Sequence, residues 1–188
     1  KVFPDIERCF DRSKFAELPD GRLIGGIDFG WNDPFASLTA MADEETNGKP
    51  IYVFRERYKR KTPLEVHAKT IRRSDAEFWA DSKRPDSIRR LQKLGVDVKK
   101  NRVPDILTGI DAINARVYSE TLWINPLTCP ALLAESREWC YAEDEEGVGG
   151  EEPTAGFEHA LDACRYMIVN YDRREKVDEE PEQEVEAA

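Results

Sequence analysis

Three strand-like runs follow one another early in this chain, with nothing helical between them. Arg22–Phe29, Phe35–Ala42 and Ile51–Tyr58 are rich in apolar and β-favouring residues. In the third run, apolar positions give way to charged ones at Arg55 and Arg57. The connections, Gly30-Trp31-Asn32-Asp33-Pro34 and the polar segment 43–49, are short and made of turn formers. Strands joined this tightly lie antiparallel, because a parallel return needs a long crossover. The spacing therefore predicts a three-strand antiparallel meander.

The period then changes. Thr62-Pro63-Leu64-Glu65 opens a helix reaching about Arg73, with Thr62 as cap, Pro63 in the first turn and Glu65 completing a capping box. Glu77–Asp81 reads as a fourth strand, Asp86–Leu94 as a helix stopped by Gly95, and Val96–Lys99 as a short fifth strand. Asp105–Tyr118 is helical, with Ile106, Ile110, Ile113 and Val117 on one stripe. Leu122–Ile124 reads as a further strand, Pro130–Tyr141 as a helix, the acidic stretch 142–153 as a loop or hairpin, and Gly156–Tyr171 as the last helix. A meander followed by strand–helix alternation predicts an α/β fold, one mixed sheet flanked by helices. That is the element order of the ribonuclease H fold.

Outside this core, residues 1–21 are poorly periodic, with Pro4, Pro19 and Asp20-Gly21, and read as a lead-in segment or linker. The folded domain is expected over 22–171. Residues 172–188 are Glu-rich, lack apolar residues for packing, and are expected to be disordered. The chain does not begin with Met, shows no signal peptide and reads as a piece of a longer protein. No run approaches the roughly 18 apolar residues of a membrane span. Cys9, Cys129, Cys140 and Cys164 form no C-x-x-C pair, so they read as buried, reduced thiols of a cytosolic protein rather than zinc ligands.

A formal charge of −10 argues at first against a nucleic-acid partner. Its distribution reverses that. Residues 143–152 hold six acids and no base, and 172–188 hold eight acids against three bases. Without these two segments the remainder is close to neutral. Residues 55–73 and 83–102 each carry eight bases against two acids. Basic faces of this kind can grip a phosphate backbone, although most of these Lys and Arg residues, taken singly, read as solvated helix and strand faces.

Three acids sit where chemistry is most easily placed. Asp28 closes the apolar run Gly25-Gly26-Ile27-Asp28 and shares a strand face with Ile24 and Gly26. The bland reading is an Asp that opens a turn before Gly30. Asp81 closes Phe78-Trp79-Ala80-Asp81 and is followed by Ser82, Lys83 and Arg84; a helix-capping role competes. In the last helix Phe157, Leu161, Cys164 and Ile168 form an apolar stripe, and Glu158, His159 and Asp162 lie on a neighbouring face. Acids among apolar neighbours are costly unless something compensates the charge, and a divalent cation would do so. His159 beside Asp162 is a workable ligand pair. His67, within a basic helix, reads as a surface residue.

The combination of Gly26-Ile27-Asp28-Phe29-Gly30, of Ala80 to Pro85 with Ile88-Arg89-Arg90-Leu91 and Gly95, of Lys100 with Ile106 and Gly109-Ile110, and of Glu158 to Tyr166 resembles the C-terminal nuclease domain of the large terminase subunit of tailed bacteriophages. The likeness covers about residues 22–171. It implies a ribonuclease H-like endonuclease that cuts concatemeric double-stranded viral DNA during genome packaging. By position it makes Asp28, Asp81 and Asp162 metal-binding catalytic acids, with His159 able to approach the metal. Glu158 stands where the family often has Asp, so its role is a departure. The family's packaging ATPase is missing here, since no G-x-x-x-x-G-K-[ST] occurs.

The expected mechanism uses two Mg²⁺ or Mn²⁺ ions, roughly 3.5–4 Å apart, bridged by Asp28. Lys100, or Lys83 and Arg84, would neutralise the scissile phosphate. The acidic segment 143–152 would restrain DNA entry. The ATPase domain is an expected partner, portal and small terminase are further ones, and the host cytoplasm is the expected compartment. Competing readings are a Holliday-junction resolvase, an actin-like ATP-binding module, for which 188 residues are too few, and a non-catalytic docking domain of the same fold.

Overall fold

The computed structural model describes residues 1–143, 149–154, 156 and 158–179. The meander forms as the spacing predicts. β1 (Arg22–Asp28), β2 (Phe35–Ala42) and β3 (Ile51–Lys59) pair antiparallel, with Asp28 opposite Ala36 and Phe35 opposite Lys59. β4 (Glu77–Ala80) then adds parallel to β1, β5 (Val98–Lys100) parallel to β4, and β6 (Leu122–Ile124) parallel to β3. The sheet order is β5-β4-β1-β2-β3-β6. The helices are α1 (Leu64–Ile71), α2 (Pro85–Lys93), α3 (Ile106–Tyr118), α4 (Pro130–Glu138) and α5 (His159–Glu179). Gly95 ends α2 at φ +81. None of the described helices is long and apolar enough to cross a membrane.

Strand alternation sorts the apolar residues into two layers. Ile24, Leu38, Ala40 and Val53 point to one face, where they meet Ile110 and Ile113 of α3, Leu132 of α4, and Leu161 and Met167 of α5. Ile27, Phe35, Phe78 and Val98 point to the other, against Ala68 and Ile71 of α1 and Ile88 and Leu91 of α2. Gly26 decides how close α5 can come. A Cβ there would run into the backbone carbonyl of Ala163, so the helix rests directly on the bare β1 backbone.

Four local expectations are corrected. The first 21 residues are no linker: Val2, Phe3, Ile6 and Cys9 are buried in the main core, and Phe3 packs on Trp139 with ring centroids 5.6 Å apart. Two 3₁₀ turns, Ile6–Cys9 and Arg12–Phe15, replace a regular period, which is why the pattern looked unstructured. The last helix continues beyond Tyr171 to Glu179. Ion pairs replace the apolar stripe there: Arg116 donates to Asp172 at 2.6 Å, and Arg174 to Glu77 at 2.6 Å. Residues 180–188 lie outside the described ones. α4 stops at Glu138 because Trp139 turns extended, is buried, and donates its Nε1–H to the Thr154 carbonyl at 2.7 Å. The α1 cap also shifts. Pro63 takes the N-cap position, Thr62 donates its hydroxyl to the Arg60 carbonyl, and Glu65 pairs with Arg90 instead of closing a capping box.

Within the stretch expected to be a loop or hairpin, β7 (Tyr141–Glu143) and β8 (Gly149–Pro153) pair antiparallel. Residues 144–148 lie outside the described ones, and so does most of the expected restraint on DNA entry. All four cysteines are free, and Cys140 is exposed rather than buried. Glu77, buried at the start of β4, would have a raised pKa from burial alone, but Lys99, Arg174 and Arg22 surround it and hold it below the usual range.

His67 is the clearest surprise. It is 1 % exposed and stacks on Phe35 with centroids 3.8 Å apart. Arg57 donates Nε–H to its Nδ1 at 2.8 Å, which requires the neutral ring. Burial pushes its pKa down to about 4, and the Arg57 charge adds to that. The basic run hid this, because an arginine from β3 supplies the partner that a surface histidine would take from water.

Both the glycine contact and the buried histidine can be tested by unfolding. Gly26→Ala should cost about 3 kcal/mol in urea unfolding, as overpacking a tight contact does, whereas Gly95→Asn, with open space around it, should cost under about 1 kcal/mol. Because the His67 pKa falls on folding, its stability contribution is intact above pH 6.5 and is lost as pH falls through about 4. His67→Phe should flatten the thermal-stability profile between those two values, and an unchanged slope contradicts this placement.

Candidate active site

β1 and β4 run parallel, with Ile27 opposite Ala80. The residues that follow, Asp28 and Asp81, thus emerge side by side at one edge of the sheet, and the Asp81 N–H donates to the Ile27 carbonyl at 3.4 Å. Both fall on the α5 side by alternation, Asp28 with Gly26 and Asp81 with Trp79. α5 begins directly above that edge. His159 places Nδ1 2.9 Å from Asp28 Oδ2, and Asp162 follows on the next turn. This edge, outside the carboxyl ends of adjacent parallel strands, is where open α/β sheets place ligands.

The three acids share one electrostatic environment. Burial raises the Asp28 pKa to about 6; the His159 hydrogen bond opposes this, and the charges of Asp162 and Asp81 push it further up. Tyr166 reports the same crowding, because its phenol is pushed up by burial and then by Asp162, Asp28 and Asp81. The Asp28 contact in turn raises the His159 pKa.

Each carboxylate nonetheless has its own protein partner. Asp28 contacts His159. Asp81 Oδ1 accepts the Lys83 N–H at 3.0 Å. Asp162 Oδ1 accepts Nη2 and Nε of Arg165 at 2.8 and 3.1 Å, and Tyr166 reaches its Oδ2 at 3.4 Å. Among the described residues no three His, Cys, Asp or Glu side chains stand ready to hold a cation as a group. The edge gathers the acids without preassembling a coordination sphere.

The remaining expected residues divide. Glu158 accepts the Gly156 N–H at 2.5 Å in the turn that leads into α5. Lys83 and Arg84 are exposed just past Asp81. Lys100 ends β5 beside Ala80, but register puts it with Val98 on the α2 face, opposite the acids. His159 was paired in sequence with Asp162; in space it bonds Asp28.

Two residues that the pattern did not single out hold this arrangement. Glu135 of α4 accepts the Tyr58 hydroxyl at 2.8 Å with Oε1, and the Ala160 and Leu161 amides at 2.7 and 3.0 Å with Oε2. It caps the first turn of α5 from a different helix, and burial raises its pKa to about 7. Its one sequence signal is an acid three residues after Leu132 on a stripe that α4 buries. Arg165, 4 % exposed, lies over Gly109 of α3, where any Cβ would strike its side chain, and aims its guanidinium at Asp162.

No protein-family model and no curated protein matches the chain. Solved structures do. The nuclease domain of the large terminase g2p from bacteriophage SPP1, with bound Mn, superposes with a TM-score of 0.68 at 24 % identity over 87 % of this chain and 92 % of that one. The nuclease domain of the P22 large terminase gives 0.70 at 19 %, covering 93 % and 92 %. A large terminase from a thermophilic bacteriophage gives 0.73 at 17 % over 90 % of this chain, which spans 44 % of that longer protein.

Asp28→Asn should raise the stability of the metal-free protein at pH 7.5 by on the order of 1–2 kcal/mol, since ionised Asp28 is penalised at pH values above about 6. The benefit should shrink toward pH 4, where the native carboxyl is protonated in the folded state. Glu135→Ala should cost about 2–4 kcal/mol, because two helix amides and a tyrosine hydroxyl lose their acceptor. A change below about 0.5 kcal/mol in urea unfolding contradicts that role. The mixed sheet, its strand order and the placement of α5 give this chain the ribonuclease H-like fold seen in large-terminase nuclease domains.

Proposed function

We propose that this chain is a divalent-metal-dependent endonuclease domain that cuts double-stranded DNA with little sequence preference, as part of a viral packaging motor. The observation that supports the reading is that Asp28, Asp81 and Asp162 act on one another at one sheet edge, where burial first, and then the charges of Asp162 and Asp81, raise the Asp28 pKa to about 6. A carboxylate under that pressure favours a cation. Three carboxylates and one imidazole form an oxygen-rich set suited to Mg²⁺ or Mn²⁺, and the SPP1 domain of similar fold carries Mn.

Asp28, Asp81 and Asp162, with His159 at hand, would hold two such ions, which when bound supply an activated water and stabilise the leaving 3′-oxygen. The chain's own residues do the rest. Arg165 fixes Asp162 through Oδ1 and leaves Oδ2 turned toward Tyr166. His159 orients Asp28, and Glu135 fixes the helix end that carries both His159 and Asp162. Lys83 and Arg84, exposed beside Asp81, are placed to meet a phosphate, and contacts to phosphate position a strand without reading its bases. An ATPase domain is the proposed partner in the same protein, with portal and small terminase as further partners and the host cytoplasm as the compartment.

One observation favours a second reading, a non-catalytic docking domain of this fold: each of the three carboxylates already has a protein partner. Supercoiled plasmid incubated with EDTA, Mg²⁺ or Mn²⁺ separates the two. The nuclease reading expects nicking and linearisation with either metal, none with EDTA, and a loss of at least about 100-fold in Asp28→Asn. Absent cleavage favours docking, and cleavage by Asp28→Asn rejects the site.

A further inference from the structure

On the other face of the same sheet edge lies a cavity of about 470 Å³ of whose lining the cleavage reading uses Arg84 alone. Its walls follow directly from the residues that carry the acids. Phe29, Gly30 and Trp31 come straight after Asp28, and Arg84 comes three residues after Asp81. The first turns of α1 and α2 close it, and neither helix has a side-chain cap on its free amides.

Three features point to a ligand. Trp31 is 56 % exposed at the mouth, and the Lys61 N–H bonds its carbonyl at 2.9 Å, so the loop is tied in place. Arg84 makes no side-chain hydrogen bond or ion pair among the described residues, whereas Arg90 and Asp86 in the same wall pair with Glu65 and Arg89. His67 lines the cavity, is 1 % exposed, and has an Nε2 with no hydrogen-bond partner. Because Arg57 donates to Nδ1, the ring's hydrogen sits on that Nε2, a buried donor that feels the Thr62 backbone but makes no hydrogen bond of full geometry. A flat aromatic surface, a buried donor, a free guanidinium and uncapped helix amides together fit a planar heterocycle joined to an anion.

We infer that this cavity takes one unpaired nucleotide of the DNA strand at the cutting edge, with its base against Trp31 and within reach of His67, and its phosphate against Arg84. The inference rests on the reading of the domain as one that acts on DNA, and it adds a subsite on the sheet face opposite the acids. The volume suits a small ligand and not a duplex. The stacking supplies affinity for any base, in keeping with a cutter that ignores sequence.

The test is anisotropy of a fluorescein-labelled single-stranded tetranucleotide, with the full chain in EDTA, against an abasic tetranucleotide of equal phosphate count. The base-bearing strand should bind at least about fivefold more tightly, the lower range of one base–aromatic stack. Trp31→Ala should abolish that preference and leave the abasic affinity unchanged. Arg84→Ala should weaken both strands alike. Equal affinity for the two strands, or a preference that survives Trp31→Ala, overturns the inference. Displacement by equimolar dAMP also overturns it, by assigning the cavity to free nucleotides. Plasmid nicking with Mn²⁺ on the same preparations keeps the two readings apart: nicking without base preference sinks the subsite alone, and base preference without nicking sinks the nuclease reading alone.

Discussion

The contact on which this structure depends is backbone against backbone. α5 lies on β1 at Gly26, where no side chain separates the Ala163 carbonyl from the strand. From that close approach come the depth of the main core, the position of His159 over Asp28, and the burial that lifts the Asp28 pKa to about 6. A helix held at the usual distance by side chains would leave the acids in separate, wetter surroundings. Glu135 completes the constraint from the far side, because it satisfies two amides at the start of α5 that would otherwise be open.

Under the proposed function, stability and cation binding pull against each other at this edge. Ionised Asp28 is penalised when no cation is present, and three like charges within one another's reach add to the cost. The protein offsets part of this with His159, which bonds Asp28, and with the Arg165 guanidinium, which pairs with Asp162, both placed on α5 itself. Such offsets are common where a site is built for a charge that comes from outside. They also explain why the acids are gathered yet internally bonded. Arg165 and His159 hold the carboxylates in place, and a bound cation would compete with them for the same oxygens.

Much of the fold was legible because periodicity and short connections are strong signals. The meander, β4, β5 and the start of α3 next to Asp105 all appear close to where the pattern put them. Asp28 and Asp81 were readable as strand-end acids, since their position follows from alternation alone. What stayed hidden depends on contacts across the sequence. Phe3 and Ile6 join the core without a regular period, α5 is extended past Tyr171 by ion pairs with β4 and α3, and His67 is buried because Arg57 on another strand completes it. Glu135 was invisible for the same reason: its three donors come from β3 and α5. The pairing of His159 with Asp28 rather than with its helical neighbour Asp162 is likewise set by the β1–α5 approach, which no local spacing encodes.

In the proposed function, three carboxylates distant in sequence form one seat for divalent cations. Electron paramagnetic resonance of Mn²⁺ titrated into the full chain measures this without requiring turnover. Saturable loss of the free-ion signal is expected in the native protein, with its recovery in Asp28→Asn. An unchanged free-ion signal with the native protein, or equal uptake by both proteins, would contradict it.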